Sequence, residues 1–192
     1  AGSAVTGLDS HPGMLERAQR RLDSHPDETL RVHLAPGSMC ELDHLGRFER
    51  VIVPFTAIYC LSRTELNACL AQAARVLEPG GYLVLDAYPP EVFHLSELST
   101  TDFEHLRDLT IGERAYRVDE RTQVLRSEQQ IHVTYRHTRL DNETTEAPSE
   151  YTIVHHYVLI SEWPEILERA GLTHYEFYGG FEGEPLTEDS DR

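Results

Sequence analysis

The chain has 192 residues, 40% hydrophobic and 26% charged, the balance of a folded domain with a core of its own. Its formal net charge of -16 argues against nucleic acid and anionic membranes, which are held by basic surfaces, and favours a compact neutral or cationic small molecule as partner. All 17 basic residues are Arg, so Schiff-base chemistry, a lysine general base and a phosphate-loop lysine are excluded. No apolar run approaches the roughly 20 residues of a membrane span. Cys40, Cys60 and Cys69 form no C-x-x-C pair, and three is an odd number. Free thiols in a reducing cytoplasm are the expectation.

In chain order, Ala4–Leu8 reads as a short buried strand that ends in Asp9. A helix follows, with Met14, Leu15, Ala18 and Leu22 on one stripe. Leu30–Leu34 and Arg50–Pro54 read as the next strands. Ser62-Arg63-Thr64-Glu65 fits a capping box, and Leu66, Leu70, Ala73 and Leu77 form the stripe of the helix it opens. Pro79-Gly80-Gly81 stops that helix and turns the chain into a strand at Tyr82–Ala87. Repeated β-α-β units imply a parallel sheet.

Beyond Asp86 the pattern changes. Thr101-Asp102-Phe103-Glu104 predicts a short helix through Leu109. Residues 115–160 read as antiparallel strands, with Ile131–His137 and Tyr151–Val158 the richest in β-formers and the polar run Asp141–Glu150 as the loop between them. A last helix starts at Ser161, buries Trp163, Ile166, Leu167 and Ala170 on one face and ends at Gly171. Leu172–Tyr178 is the expected final strand.

Asp9-Ser10-His11-Pro12-Gly13-Met14-Leu15, followed in order by Leu77-Glu78-Pro79-Gly80-Gly81 before an apolar strand, resembles a class I S-adenosylmethionine-dependent methyltransferase. Tyr178-Gly179-Gly180-Phe181-Glu182-Gly183 after the antiparallel stretch resembles the branch that methylates small molecules and amino-sugar nitrogens. The resemblance implies an α/β fold: a Rossmann-like three-layer sandwich around a mostly parallel sheet, with an antiparallel β insert after the fifth strand. Residues 1–90 would be the cofactor-binding core, 91–160 the substrate-side insert, and 161–192 a final helix and strand. In the family order a first strand and a glycine-rich loop precede the position of Ala1, and a last strand follows that of Arg192. The chain is therefore expected to be truncated at both ends.

The resemblance also assigns residues. Asp9 and Ser10 would face the ribose of S-adenosylmethionine, and a carboxylate suits two hydroxyl donors. Met14 would lie on the adenine. Gly37-Ser38-Met39 stands where the family usually has Gly-Asp-Met, so Ser38 offers a hydroxyl in place of a carboxylate. Val53 and Phe55 would close the cofactor side of the fourth strand. Tyr59 is placed to meet the methyl acceptor, a small molecule. His132 and His155 are the candidate general bases, because imidazole titrates near working pH. No metal site is expected: His155 and His156 are adjacent and point to opposite faces of a strand, and no H-x-x-x-H occurs. A binding module or inactive fragment of the same fold is one alternative. An NAD(P)-dependent oxidoreductase is the other, opposed by the absence of any Tyr-x-x-x-Lys pair.

Overall fold

A computed structural model describes residues 4–25, 31–95, 99–140, 147–187 and 190. They fall in two compact units, one built from stretches up to Val51 and from Glu65 to Leu83, the other from Ile52–Thr64 and everything from Val84.

The first unit opens with strand β1 (Ala4–Asp9), helix α1 (Pro12–Ser24) and strand β2 (Arg31–Pro36). β1 and β2 pair in parallel, in register from Ala4 opposite Arg31 to Asp9 opposite Pro36. Pro12 starts α1, where its missing N–H costs nothing. No residue of α1 is buried. Leu15, Ala18 and Leu22 are half-buried, whereas Met14 is 51% exposed. At 100° per residue Met14 lies about 70° from the centre of that stripe, which is why it falls outside it.

Strand β3 (Phe48–Val53), helix α2 (Arg63–Val76) and strand β4 (Leu77–Leu85) follow. Leu66, Leu70, Ala73 and Val76 are buried on one face of α2. Three bonds tie the connection after β2 to that helix and its end: Cys40 Sγ to the Glu65 carbonyl (3.3 Å), Leu42 N–H to Gln72 Oε1 (3.1 Å) and Arg47 to the Leu77 carbonyl (3.0 Å). β4 begins five residues before the expected start, so Pro79-Gly80-Gly81 lies within the strand. Gly80 takes φ +81°, and a Cβ at Gly81 would come within 2.8 Å of the Glu49 carbonyl. Glycine is what lets β4 lie against β3 there. Gly81 faces Glu49 at the start of β3 and Asp86 N–H reaches Val53 O at its end, so the two strands run the same way. The parallel strands form two pairs, β1–β2 and β3–β4.

The second unit is dominated by a four-stranded antiparallel sheet in chain order: β5 (Glu104–Ile111), β6 (Arg114–Leu125), β7 (Gln130–Arg139) and β8 (Ser149–His156). Here one expectation fails. The stretch after Thr101 is strand, not helix. Gly112 at φ +62° makes a two-residue turn between Ile111 and Arg114, and the hairpin that results overrides the local capping signal. Part of the expected loop 141–150 lies outside the described residues; β8 starts within it, at Ser149. A short helix, α3 (Glu91–Leu95), precedes the sheet, and α4 (Trp163–Arg169) follows it. Trp163, Ile166 and Leu167 are buried. Gly171 at φ +85° turns the chain, and Leu172 N–H closes on the Leu167 carbonyl at 2.9 Å. The expected strand Leu172–Tyr178 is irregular chain with a single bridge, Tyr178 to Pro185. A strand needs a partner along its length, and this segment has none among the described residues.

Leu70 is 1% exposed. Leu70→Ala should cost about 2–5 kcal/mol of unfolding free energy, whereas Met14→Ala should change it by less than about 0.5 kcal/mol. Urea unfolding of both variants measures the contrast.

Candidate functional site

Each of the four parallel strands hands over to a chemically distinctive residue at its carboxyl end: Asp9 ends β1, Gly37 follows β2, Phe55 lies just past β3, and Asp86 follows β4. Carboxyl ends are where parallel sheets bind ligands.

In the first unit, Asp9 is half-buried and its Oδ1 accepts the His11 N–H at 2.7 Å. That bond starts α1 and leaves acceptor capacity on the carboxylate. Gly37 N–H donates to the Asp9 carbonyl at 3.1 Å, so the two strand ends are locked side by side. Ser38 Oγ accepts the Cys40 N–H at 3.2 Å, and the Ser38 carbonyl accepts the Glu41 N–H at 3.0 Å. The loop that carries Gly37, Ser38 and half-buried Met39 is therefore held by its own serine. Ser10 and Met14 are exposed beside Asp9.

In the second unit, Val53 is buried and its carbonyl accepts the Asp86 N–H at 3.4 Å. Phe55 and Thr56 then adopt φ of +59° and +53°. Left-handed backbone at two successive non-glycine residues costs about 1–3 kcal/mol each. The Asp86 carboxylate holds them there: it accepts Phe55 N–H at 2.7 Å and Thr56 N–H at 3.2 Å. The bent loop leaves the Phe55 side chain 82% exposed. Sequence reading placed Asp86 only as a strand end. The signal for its role was an acid closing an apolar strand, as at Asp9.

Tyr59 stands differently from its expected place against the acceptor. It is 1% exposed, its ring packs edge-on to Tyr88 at 5.1 Å, and its hydroxyl donates to the carbonyls of Tyr88 (3.1 Å) and Val158 (3.2 Å). Burial pushes this phenol far above its ordinary range, so it stays protonated and serves as an anchor. The tyrosine hydroxyl that faces His155 belongs to Tyr88, which sequence reading missed. Its hydroxyl lies 3.0 Å from His155 Nδ1. Burial, reinforced by the neighbouring His156, lowers the His155 pKa below its usual value, so the imidazole is neutral at pH 7. His132 is half-buried on the opposite face of the sheet, with Nε2 2.8 Å from Gln130 Oε1. The structure thus brings one of the two candidate bases, His155, into a tyrosine cluster and keeps the other away from it. No group of three metal-ligating side chains lies together among the described residues, and no described helix is long and apolar enough to cross a membrane.

Residues 1–81 match the family described as a methyltransferase domain. The fold is similar to that of the CcbJ methyltransferase of Streptomyces caelestis, at 20% identity and a TM-score of 0.76, over 97% of this chain and 71% of that one. The family match covers the first part of the chain, and the chain as a whole shares the fold of this methyltransferase. DesVI of Streptomyces venezuelae is similar at 23% identity and a TM-score of 0.65, over 93% of this chain and 70% of that one. CalS10 of Micromonospora echinaspora, an amino pentose methyltransferase of calicheamicin biosynthesis, is similar at 24% identity and a TM-score of 0.61, over 88% and 65%. No curated protein matches the sequence. The matched family is a methyltransferase and not an oxidoreductase. Asp9 and Gly37 stand in the matched segment.

Two tests follow from this geometry. Asp86→Ala removes the acceptor of two backbone N–H groups and should destabilise by about 1.5–3 kcal/mol, with Asp86→Asn recovering part of the loss. Paired denaturant curves measure it. His155 gives a pH test. Its pKa is depressed on folding, so the unfolded chain binds the proton first, and the stability its neutral form confers is lost as pH falls below about 6.5. His155→Phe should flatten that part of the stability–pH profile; an unchanged slope would show that His155 is not the group responsible.

Proposed function

We propose that this chain transfers the methyl group of S-adenosylmethionine to an amine nitrogen of a small-molecule acceptor. The observation that carries the reading is Asp9: a carboxylate at the carboxyl end of a parallel strand, hydrogen-bonded into the helix start and locked beside Gly37. A carboxylate with free lone pairs fits a vicinal diol, whose two hydroxyls are donors. Ser38 and Met14 supply a hydroxyl and a soft apolar contact of the kind an adenine accepts. Further support comes from the family and neighbours above, one of them an amino pentose methyltransferase.

When bound, the cofactor supplies an electrophilic methyl on a sulfonium, which a neutral amine takes up by in-line displacement. The protein's part is to hold, orient and deprotonate. An amine attacks only with its lone pair free, so a neutral imidazole is the useful neighbour. His155 is kept neutral by burial and oriented through Nδ1 by the Tyr88 hydroxyl. Tyr59 fixes the Tyr88 carbonyl, which makes it a positioning residue. The loop held by Asp86 presents Phe55 as an apolar surface that excludes water. The surplus of negative charge favours approach of a cationic amine, which then loses its proton at the site.

Asp9→Ala should weaken binding of S-adenosylhomocysteine by about 1.5–3 kcal/mol, roughly 10- to 150-fold. Calorimetric titration of the protein and the variant tests it. Equal affinities would reduce Asp9 to a helix-start acid and remove the main support for the reading.

A further inference from the structure

Two of the three cysteines meet inside the first unit. Cys40 ends the loop of Gly37, Ser38 and Met39, and its Sγ lies 3.3 Å from the Glu65 carbonyl. Two residues on, Leu42 N–H bonds Gln72 Oε1 at 3.1 Å. Glu65, Cys69 and Gln72 are spaced i, i+4, i+7, so they form one stripe along α2. The segment from Cys40 to Leu42 touches that stripe at both ends, and Cys69 lies between the two contacts. The Glu65 carbonyl beside Cys40 is also the one that the Cys69 N–H reaches in an α-helix. The two cysteine side chains therefore face each other.

They are not equivalent. Cys69 is 1% exposed, whereas Cys40 is half-buried. Burial pushes the Cys69 thiol up to about 12, and the nearby Cys40 adds to the rise. Cys69 thus stays protonated and is the poorer first nucleophile. Cys40 offers the accessible sulfur. The third cysteine, Cys60, is exposed and belongs to the second unit.

The loop makes a bond between these sulfurs consequential. Gly37 N–H is bonded to the Asp9 carbonyl, and a Cβ on Gly37 would come within 2.9 Å of the Leu8 side chain, so the loop start is pinned to β1. At the other end Ser38 Oγ accepts the Cys40 N–H at 3.2 Å. Bringing the sulfurs to a bond of about 2.05 Å draws Cys40 onto α2 while Gly37 stays on β1. Ser38 and Met39 span the two and take up the movement. We propose that Cys40 and Cys69 are a redox pair, closed by exchange with a small disulfide, and that closure displaces Ser38 and weakens cofactor binding. The Cys40 thiolate attacks one sulfur of the small disulfide and expels a thiol, which leaves a mixed disulfide on Cys40. The Cys69 sulfur then attacks Cys40 Sγ and expels the second thiol. The two cysteines are oxidised, the small disulfide is reduced, and both protein protons end on the released thiols. The pairing rests on the cysteines alone; its effect on the cofactor rests on the methyl-transfer reading.

The test exposes the reduced protein to oxidised glutathione, alkylates the remaining thiols in denaturant and maps the peptides by mass. A Cys40–Cys69 linked peptide is expected, with Cys60 alkylated or carrying glutathione. Calorimetric titration with S-adenosylhomocysteine should show affinity at least about fivefold lower after oxidation, and dithiothreitol should restore it. Cys40→Ser should give no linked peptide and keep its affinity through the same treatment. Absence of the linked peptide, or pairing of Cys60 in its place, overturns the redox pair. Linkage with unchanged affinity, or a fall in affinity that persists in Cys40→Ser, overturns the displacement of Ser38. If the reduced protein does not bind S-adenosylhomocysteine, the methyl-transfer reading fails, and the linked peptide alone decides the pair.

Discussion

A buried phenol has to give its proton to something, and the arrangement of the second unit depends on where Tyr59 gives it. Its hydroxyl donates to the Tyr88 and Val158 carbonyls and so ties the segment after β4 to the segment after β8. That fixes the Tyr88 backbone, whose side chain then meets His155 at 3.0 Å. Desolvation keeps the phenol protonated and the imidazole neutral, which is the pairing that lets both bonds persist. Next to this, Asp86 spends both carboxylate oxygens on holding the Phe55–Thr56 backbone in its left-handed turn. Polar groups inside the unit thus set the backbone first and the reactive side chain second.

The parts of the fold legible in the sequence were those with a local signal strong enough to stand alone. Ala4–Leu8 and Arg50–Pro54 are short segments rich in apolar residues, and they overlap β1 (Ala4–Asp9) and β3 (Phe48–Val53). The stripe of Leu66, Leu70 and Ala73 has helical spacing, and all three are buried. What escaped depends on partners that lie far away in sequence. Glu104–Ile111 carries no strong strand preference and becomes a strand because Gly112 folds it onto β6. Leu172–Tyr178 has β-forming residues but no neighbouring strand to pair with among the described residues. The glycines at 80 and 81, read as a turn, sit inside β4, where Gly80 supplies a positive φ and Gly81 a close approach to Glu49.

The candidate site divides the same way. Asp9 was legible because a carboxylate between an apolar strand and a helix has few other reasons to be there, and it ends β1. Tyr88 and Asp86 were not singled out, because their roles appear only when β8 and the loop after β3 are brought to them. His132 and His155 look alike in the sequence, each among β-formers. Register separates them, since a strand's period of two puts them on opposite faces.

That separation has a larger counterpart across the whole antiparallel sheet. On the face with His132, Arg117 pairs with Asp119 at 2.6 Å and Arg136 with Glu150 at 2.7 Å. The Phe103 ring lies between Arg121 and Arg136, with guanidinium carbons 4.8 Å and 3.6 Å from its centroid. Planar guanidinium groups can pair and stack at once, which ammonium groups cannot, so a chain whose cations are all Arg is well suited to such a lattice. The ionic lattice occupies one face and links β6, β7 and β8. The other face is thereby released from providing stability through charge, and Tyr135, His137, Tyr151, Glu120 and His155 share it. An antiparallel sheet can treat its two faces this differently because only one has to be dry. The same insert in a parallel sheet, covered by helices on both sides, would have no open aromatic face.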